Sequence, residues 1–345
     1  MKRMVAGITE NHTMKTRQLG TALTVSAIGL GCMGMSFAYG GQAEADAIRT
    51  LHRAVDLGIT LFDTAEVYGP FTNEELVGKA LKELRSKVVI ATKFGFRIAP
   101  EGQDRDRIIG VDSRPEHVRA VAEASLRRLG VEAIDLFYQH RVDPAVPIED
   151  TVGAMAELVR EGKIKALGLS EAGATTIRRA HAVHPIAAVQ TEYSLWSRDV
   201  EADVLPVCRE LGIGFVPYSP LGRGLLTGTI QDHSTLADDD WRKSLPRFQE
   251  DNMAANQRLL TKFARIAEDK GVTPAQLALA WVLHRGDHIV PIPGARRLSH
   301  LEDNAAAATI ALSAADLAAI DEAMPPASVS GERYMPEAMA LVDAT

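Results

Sequence analysis

The feature that most constrains this chain is a repeated alternation between short β-rich runs and longer helical patterns. The β-rich runs occupy residues 25–31, 60–65, 88–95, 133–140, 164–171, 186–193, 214–220 and 288–295. The helical patterns that follow them occupy residues 44–58, 73–84, 114–130, 148–162, 174–184, 201–212, 256–271 and 300–308. Such alternation predicts a parallel sheet covered by helices. Eight units without a linker predict an α/β fold, namely a (β/α)8 TIM barrel.

Regular patterning begins at Lys15 and defines the domain organisation. Residues 1–14 are predicted to be a disordered extension, and residues 15–345 a single barrel domain. Within that domain, residues 15–27 predict an N-terminal β-hairpin, and residues 273–286 and 313–324 predict two additional helices. Several helical patterns end at a glycine, the residue that commonly closes a helix: Gly58, Gly130, Gly162, Gly212 and Gly271.

A competing fold is suggested by "GLGCMG" at residues 29–34, which matches the G-x-G-x-x-G pattern of dinucleotide-binding folds. In those folds a helix opens directly after the glycines, and its N-terminus holds the phosphates. Here "MSFAYGGQ" follows, and the helical pattern starts only near Glu44. The context therefore argues against a doubly wound sheet.

Composition excludes several classes of partner. The chain has 345 residues and a formal net charge of −7, which argues against binding to nucleic acid or to an anionic membrane. The N-terminus lacks the apolar region of a secretion signal, and no run is long enough to span a membrane. Only Cys32 and Cys208 are present, without metal-ligand spacing. We expect a cytoplasmic protein that has no metal site and acts on a small-molecule substrate. Homo-oligomerisation is compatible with these features.

Ionisable side chains stand at the ends of three consecutive predicted strands. Asp63 ends the second strand, with Tyr68 in the loop after it; Lys93 ends the third, and His140 ends the fourth. Functional groups of a (β/α)8 barrel gather at the C-terminal ends of its strands, so these four side chains should meet at one rim. Each alone could be an ordinary ion-paired or packed residue. Together they predict an acid–base site, because charges interrupting apolar runs are costly unless paired or used.

The four residues suit proton donation to a carbonyl. A free phenol has a pKa of about 10, and an adjacent ammonium favours the phenolate and lowers that value. Asp63 would hold Lys93 in place, and His140 would orient the carbonyl oxygen. Tyr68 would then act as general acid while the carbonyl carbon accepts a hydride.

The sequence resembles the aldo-keto reductase superfamily. The motifs that carry the resemblance are "LFDTAEVYG", "ATKFG" and "DLFYQHRVD", and the family's catalytic tetrad falls on Asp63, Tyr68, Lys93 and His140. The stretches "GLSEAG", "QTEYSLWSRD" and "YSPLGRGLLTG" further resemble its bacterial, fungal and plant branch, which reduces small aldehydes and ketones. The resemblance extends from about Lys15 to Met324.

The resemblance also implies NADP(H) as cofactor. The matching cofactor positions are Gly31, Cys32, Met33, Asp63, Ser170, Gln190, Tyr218, Ser219, Pro220, Leu221, Arg223, Ile292, Gly294, Arg296, Arg297, His300, Asp303 and Asn304. Tyr218 would stack on the nicotinamide, and Arg296 and Arg297 suit the adenosine 2′-phosphate, because guanidinium grips phosphate in a fork. The apolar loop residues Phe37, Phe96 and Trp196 could equally belong to the core. As a pocket wall, together with the resemblance, they indicate an aldehyde or ketone with an apolar or aromatic body.

One residue departs from the family pattern. Many members carry Asn after the strand-5 serine, whereas this chain carries Glu171. A carboxylate only accepts hydrogen bonds, so Glu171 either accepts the carboxamide N–H or turns outward.

Two other functions compete with an NADPH-dependent reductase. One is an NADPH-binding regulatory or accessory subunit with little turnover, which the complete tetrad disfavours. The other is a barrel lyase that uses Lys93 in a Schiff base. That chemistry needs a desolvated lysine remote from anions, whereas Asp63 is the expected neighbour.

Overall fold

The computed structural model describes residues 14–38, 42–102, 104–230, 232–236, 238 and 240–343. The strands are β1 (Thr16–Leu19), β2 (Leu23–Ser26), β3 (Leu30–Gly31), β4 (Leu61–Asp63), β5 (Val89–Phe94), β6 (Phe96–Ile98), β7 (Ile108–Val111), β8 (Ile134–Gln139), β9 (Ile164–Ser170), β10 (Ile186–Glu192) and β11 (Gly214–Tyr218). Seven of them form one parallel sheet in the order β11-β10-β9-β8-β5-β4-β3. This is the sheet of the predicted (β/α)8 barrel.

The segment 288–294 closes the sheet into a barrel, although it carries no regular strand of its own. The Val290 N–H donates to the Phe215 carbonyl at 2.8 Å on one side, and the Gly29 N–H donates to the Pro291 carbonyl at 2.9 Å on the other. The predicted eighth strand therefore lies where it was expected, but without a continuous ladder. Pro291 and Pro293 explain this, because proline has no N–H to contribute.

Helices follow the strands and cover the outside of the barrel. They are α1 (Glu44–Asp56), α2 (Thr72–Leu81), α3 (Pro115–Leu129), α4 (Ile148–Arg160), α5 (Ala174–Val183), α6 (Val204–Leu211), α7 (Glu250–Asp269), α8 (Pro274–Leu283), α9 (Leu298–Ala306), α10 (Ala314–Ala323) and α11 (Pro336–Met339). The eight helical patterns and the two additional helices are confirmed. Gly130 and Gly212 close α3 and α6 in the left-handed conformation, with φ of 63° and 67°.

The predicted N-terminal hairpin is confirmed, and it seals one end of the barrel. β1 and β2 pair antiparallel, and their apolar residues join a core cluster whose other members lie on barrel strands or in the closing segment 288–294. Leu19 packs so closely on Gly214 that a Cβ there would overlap it. Arg17 adds hydrogen bonds of 2.8 Å to the carbonyls of Leu283 and Gly286. The hairpin closes the end opposite the rim that carries the predicted site.

The first barrel strand was predicted too long. It was expected at residues 25–31, but β3 covers only Leu30–Gly31, since Ser26 belongs to the hairpin and pairs with Thr16. The antiparallel pair β6–β7 was not predicted, and it projects from the loop between β5 and α3. Phe96 lies on it and is thereby placed beside the barrel rim.

The predicted extension, residues 1–14, lies outside the described residues apart from Met14, which is partly buried against the core. No helix in the described part of the chain is both long and apolar enough to cross a bilayer.

Candidate active site

The barrel brings Asp63, Lys93, Tyr68 and His140 together at the C-terminal ends of three adjacent strands. Asp63 is the last residue of β4, Lys93 lies one residue before the end of β5, and His140 directly follows β8. The Lys93 ammonium lies 2.5 Å from Asp63 Oδ1 and 3.2 Å from Tyr68 Oη. The rings of Tyr68 and His140 meet edge to face at 5.9 Å.

The ammonium of Lys93 is fully buried, and its three donors all have partners. Besides Asp63 and Tyr68, it donates to the Thr64 carbonyl at 2.8 Å. Asp63 is held from its other side by the Gln190 amide nitrogen, which donates to Oδ2 at 2.8 Å. A buried ion pair is tolerated when such additional bonds satisfy its remaining polar atoms. The pair is therefore a rigid support for the Tyr68 hydroxyl.

Burial dominates the electrostatics of the site. Burial raises the pKa of Tyr68, and the nearby Lys93 ammonium acts in the opposite direction without reversing it. The sequence-based expectation of a net lowering was therefore wrong, because it left out the desolvation of the phenolate. Burial also disfavours the charged form of Lys93, but Asp63 outweighs it and the pKa of Lys93 is raised.

His140 is a neutral imidazole in this setting. Burial, together with the charges of Lys93 and Arg141, holds its pKa well below the ordinary value. Its Nδ1 is buried and has no hydrogen-bond partner among the described residues. A neutral imidazole can donate a hydrogen bond from one nitrogen to a carbonyl oxygen, which suits an orienting role.

Aromatic side chains line the site beside Tyr68 and His140. The Phe37 ring stacks on Tyr68 at 5.9 Å, and Phe96 contacts His140 edge to face at 4.8 Å. These rings belong to one small apolar cluster against which Met33 also packs. Trp196 belongs to the main core cluster instead, so the structure does not bring it into the Phe37–Phe96 cluster.

Glu171, the departure from the family pattern, is locked to the C-terminal segment. Arg333 donates to both carboxylate oxygens, at 3.1 and 2.7 Å, and the Tyr218 hydroxyl donates to Oε1 at 2.7 Å. Burial raises the pKa of Glu171, but Arg333 and Arg141 outweigh it, so the net direction is downward. The outward orientation considered from sequence is therefore wrong, because Glu171 is buried and turns toward the Arg333 guanidinium.

Sequence reasoning missed Arg333 and Tyr334 as residues of this rim. The Tyr334 hydroxyl lies 2.8 Å from that of Tyr218, and the Arg333 backbone carbonyl accepts from Arg223 at 2.9 Å. The signal that could have found Arg333 is Glu171 itself, because a carboxylate predicted at a buried strand end requires a cation.

Arg223, predicted as a cofactor contact, is engaged in a buried ionic network. Its guanidinium donates to Glu192 Oε2 at 2.6 Å, and Arg247 lies 3.6 Å from Oε1 of the same carboxylate. Arg223 also covers the ring of Tyr334 at 4.6 Å. This network holds the loop after β11 against the C-terminal segment.

The predicted nicotinamide positions lie along the ends of β9, β10 and β11. Ser170 ends β9, and its buried hydroxyl has no hydrogen-bond partner among the described residues. Buried hydroxyls normally form hydrogen bonds, so this one is suited to bond a polar group of a ligand. Tyr218 ends β11 and is partly exposed. The amide nitrogen of Gln190, in contrast, is engaged by Asp63.

The eighteen predicted cofactor positions fall into buried, partly exposed and exposed groups. The buried ones are Asp63, Cys32, Ser170, Gln190, Pro220, Arg223, Ile292 and Asn304, and the partly exposed ones are Gly31, Met33, Tyr218, Ser219, Leu221 and Asp303. The exposed ones are Gly294, Arg296, Arg297 and His300. Arg296 and Arg297 precede α9 directly, so they stand at a helix N-terminus, where backbone N–H groups favour anions.

Backbone strain is concentrated on this face of the barrel. The described non-glycine residues with positive φ are Ala38, Phe71, Glu171, Ser219 and Arg223. All lie in loops that follow strands β3, β4, β9 and β11. Such conformations are costly and cluster at functional sites. Elsewhere in the described chain, no group of three or more His, Cys, Asp or Glu residues is arranged to hold a metal ion.

The fold and the site define a (β/α)8 barrel with a buried tyrosine–lysine–aspartate group and a histidine at its rim. A profile described as the aldo/keto reductase family matches residues 27–325. The chain belongs to this family, which is an enzyme family of oxidoreductases acting on carbonyl compounds.

Individual relatives agree with this assignment. The "Probable aldo-keto reductase 1" of Glycine max is 51% identical over 325 residues, which cover 92% of this chain and 91% of that protein. A glycerol dehydrogenase from Gluconobacter oxydans superposes with a TM-score of 0.83 at 33% identity, covering 91% of this chain and 97% of that one. An aldo-keto reductase from Bacillus halodurans in its holo form has a TM-score of 0.73 at 29% identity, with the same coverages.

Proposed function

We propose that this protein is an NADPH-dependent reductase of the alcohol dehydrogenase type, which converts aldehydes and ketones to alcohols with Tyr68 as proton donor. The observation that carries the proposal is the position of the Lys93 ammonium, 2.5 Å from Asp63 and 3.2 Å from the Tyr68 hydroxyl. We propose further that it works in the cytoplasm on small molecules.

Tyr68 serves as general acid in this scheme. Its raised pKa keeps the phenol protonated at neutral pH, so that a proton is available when negative charge develops on the carbonyl oxygen. The Lys93 ammonium stabilises the phenolate that remains, and Asp63 keeps the ammonium charged and in place. His140 orients the carbonyl oxygen toward the phenol by a hydrogen bond from its neutral imidazole.

The residues at the ends of β9–β11 and before α9 suit the cofactor. When bound, NADPH supplies the hydride. Ser170 would satisfy its unpartnered hydroxyl with the carboxamide, and the ring of Tyr218 would support the nicotinamide. Arg296 and Arg297, at the start of α9, would hold the 2′-phosphate. Because Glu171 is paired with Arg333, its role is to hold the wall of the cofactor pocket in place.

An accessory subunit that binds NADPH without turnover is the alternative. The buried, fully bonded Lys93–Asp63 pair supports turnover, because a lysine ammonium beside the Tyr68 hydroxyl stabilises the phenolate that proton transfer leaves. The deciding experiment measures the decrease in NADPH absorbance when the protein is mixed with each member of a panel of aldehydes and ketones. Substrate-dependent oxidation that is lost in Tyr68→Phe supports the reductase; tight NADPH binding without turnover supports the accessory role.

A further inference from the structure

The C-terminal segment, residues 329–343, takes no part in the proposed proton transfer and lies beyond the residues that the family profile matches. Ser330 exchanges hydrogen bonds of 2.9 and 3.0 Å with Asn256 of α7. The Gly331 carbonyl accepts from Arg247 at 3.1 Å. The segment is therefore attached to the barrel before it reaches the rim of the site.

Glu171 holds this segment at two points. The Arg333 guanidinium donates to both oxygens of the Glu171 carboxylate, at 3.1 and 2.7 Å. Further along the chain, the Asp343 N–H donates to the Glu171 backbone carbonyl at 3.0 Å, and the Asp343 carboxylate accepts from the Gly173 N–H at 3.1 Å. Residues 333–343 thus form a loop, here called the C-terminal loop, whose two ends meet just after β9.

The C-terminal loop reaches from the proposed cofactor side of the site to its aromatic wall. At one end, the Tyr334 hydroxyl lies 2.8 Å from that of Tyr218, a predicted nicotinamide contact. At the other end, Leu341 packs against the apolar cluster that contains Phe37 and Tyr68, whose rings stack at 5.9 Å. Because Tyr68 is the proposed proton donor, Leu341 borders the space that the group attached to the reacting carbonyl must occupy.

The exposure of Leu341 suits contact with a ligand. Its side chain is partly exposed, whereas Phe37 and Tyr68 are buried. Leu341 therefore keeps an apolar face that the protein does not cover. Met339, on the same loop, packs against the main core cluster instead. An apolar side chain in a pocket discriminates between substrates by size, and one methylene there changes selectivity by about 10- to 200-fold.

We propose that Leu341 is a specificity-determining residue, which contacts the organic group attached to the reacting carbonyl and limits how far that group extends. This inference rests on the proposed function, because it names the substrate class of that same site: compact apolar or aromatic aldehydes and ketones. Glu171 makes the contact possible, since its two attachments hold the C-terminal loop against the aromatic wall. The departure from the family pattern at this residue thereby serves substrate selection.

The experiment compares benzaldehyde with biphenyl-4-carboxaldehyde, which adds a second ring to the same aldehyde-bearing ring. The kcat/KM of each is measured with NADPH for wild type, Leu341→Ala, Leu341→Trp and Met339→Ala. We expect Leu341→Ala to raise the ratio of biphenyl-4-carboxaldehyde to benzaldehyde at least about tenfold, because it lengthens the pocket. Leu341→Trp should lower that ratio. Met339→Ala shortens an apolar side chain of the same loop and should keep the wild-type ratio.

Other outcomes overturn the inference. An unchanged ratio in both Leu341 variants, with melting curves that show folded protein, would mean that Leu341 does not contact the substrate. Equal shifts in Leu341→Ala and Met339→Ala would assign the effect to a loosened loop. If wild type reduces neither aromatic aldehyde but reduces other members of the panel, this inference alone is contradicted. If wild type reduces no aldehyde or ketone, the proposed function fails as well.

Discussion

The Lys93 ammonium lies between the carboxylate of Asp63 and the hydroxyl of Tyr68, 2.5 Å from one and 3.2 Å from the other. All three side chains come from two adjacent strands and the loop between β4 and α2. The arrangement couples a permanent buried charge to a phenol whose ionisation would otherwise be strongly disfavoured. This coupling is the basis of the proposed chemistry.

Replacing Lys93 by Met removes the group that opposes the effect of burial on Tyr68. The pKa of Tyr68 should rise further, so the alkaline limb of the pH–rate profile for reduction should move to higher pH. Turnover should fall by about 10²-fold, because the phenolate loses its stabilising charge. Lys79→Met is the control, because Lys79 is an exposed lysine on α2. An alkaline limb that stays in place would show that Lys93 does not tune Tyr68; a melting curve checks that the variant folds.

The pair of Glu171 and Arg333 should contribute strongly to stability. Arg333→Met leaves a buried carboxylate without its cation, which should lower the free energy of unfolding by about 3 kcal/mol or more. The double change Glu171→Gln with Arg333→Met should recover much of the loss, because it removes the uncompensated charge. Urea denaturation of wild type, Arg333→Met, Glu171→Gln and the double variant measures the coupling. Additive effects would mean that the two side chains do not act as a pair.

Much of this molecule follows from local sequence, and some of it does not. Asp63, Lys93 and His140 were predictable because each ends an apolar run, and consecutive parallel strands are neighbours. The Glu171–Arg333 pair joins residues 162 positions apart, and no local pattern indicates such a pairing. The hairpin β6–β7 was missed because its strands are short and irregularly paired. The direction of the Tyr68 pKa depended on burial, which a sequence does not display.

A buried carboxylate in the loop between β4 and α2 should make stability depend on pH. Burial and the nearby Glu74 carboxylate raise the pKa of Glu66 to about 8 from 4.5. The folded protein thus keeps a proton that the unfolded chain releases, so the stabilisation is complete below pH 4.5 and is lost as pH rises toward 8. The slope is at most about 1.4 kcal/mol per pH unit.

Glu66→Gln should flatten this dependence, since the amide does not titrate. The measurement is the free energy of unfolding in urea at several pH values across that window. Glu75→Gln, an exposed neighbour on α2, serves as the matched control and should retain the wild-type slope. Parallel curves for wild type and Glu66→Gln would show that Glu66 is ionised in the folded protein.

Cofactor preference should depend on Arg296 and Arg297. A charge-assisted hydrogen bond contributes roughly 1.5–3 kcal/mol, so wild type should favour NADPH over NADH by at least about tenfold in kcat/KM. The double variant Arg296→Ala with Arg297→Ala should bind NADPH more weakly and bind NADH nearly as wild type does. Added salt should reduce the preference of wild type for NADPH, because the two arginines are exposed. An equal loss of kcat/KM with both cofactors would show that the two arginines do not recognise the 2′-phosphate.

The most direct test of the account is the Tyr68→Phe variant, which deletes one hydroxyl and keeps the ring that stacks on Phe37. Its kcat for aldehyde reduction and its Kd for NADPH are measured side by side. The account predicts that kcat falls by about 10²-fold or more while the Kd stays close to that of wild type, because only the proton donor is lost. Turnover near the wild-type rate would contradict the assignment of Tyr68 as the general acid.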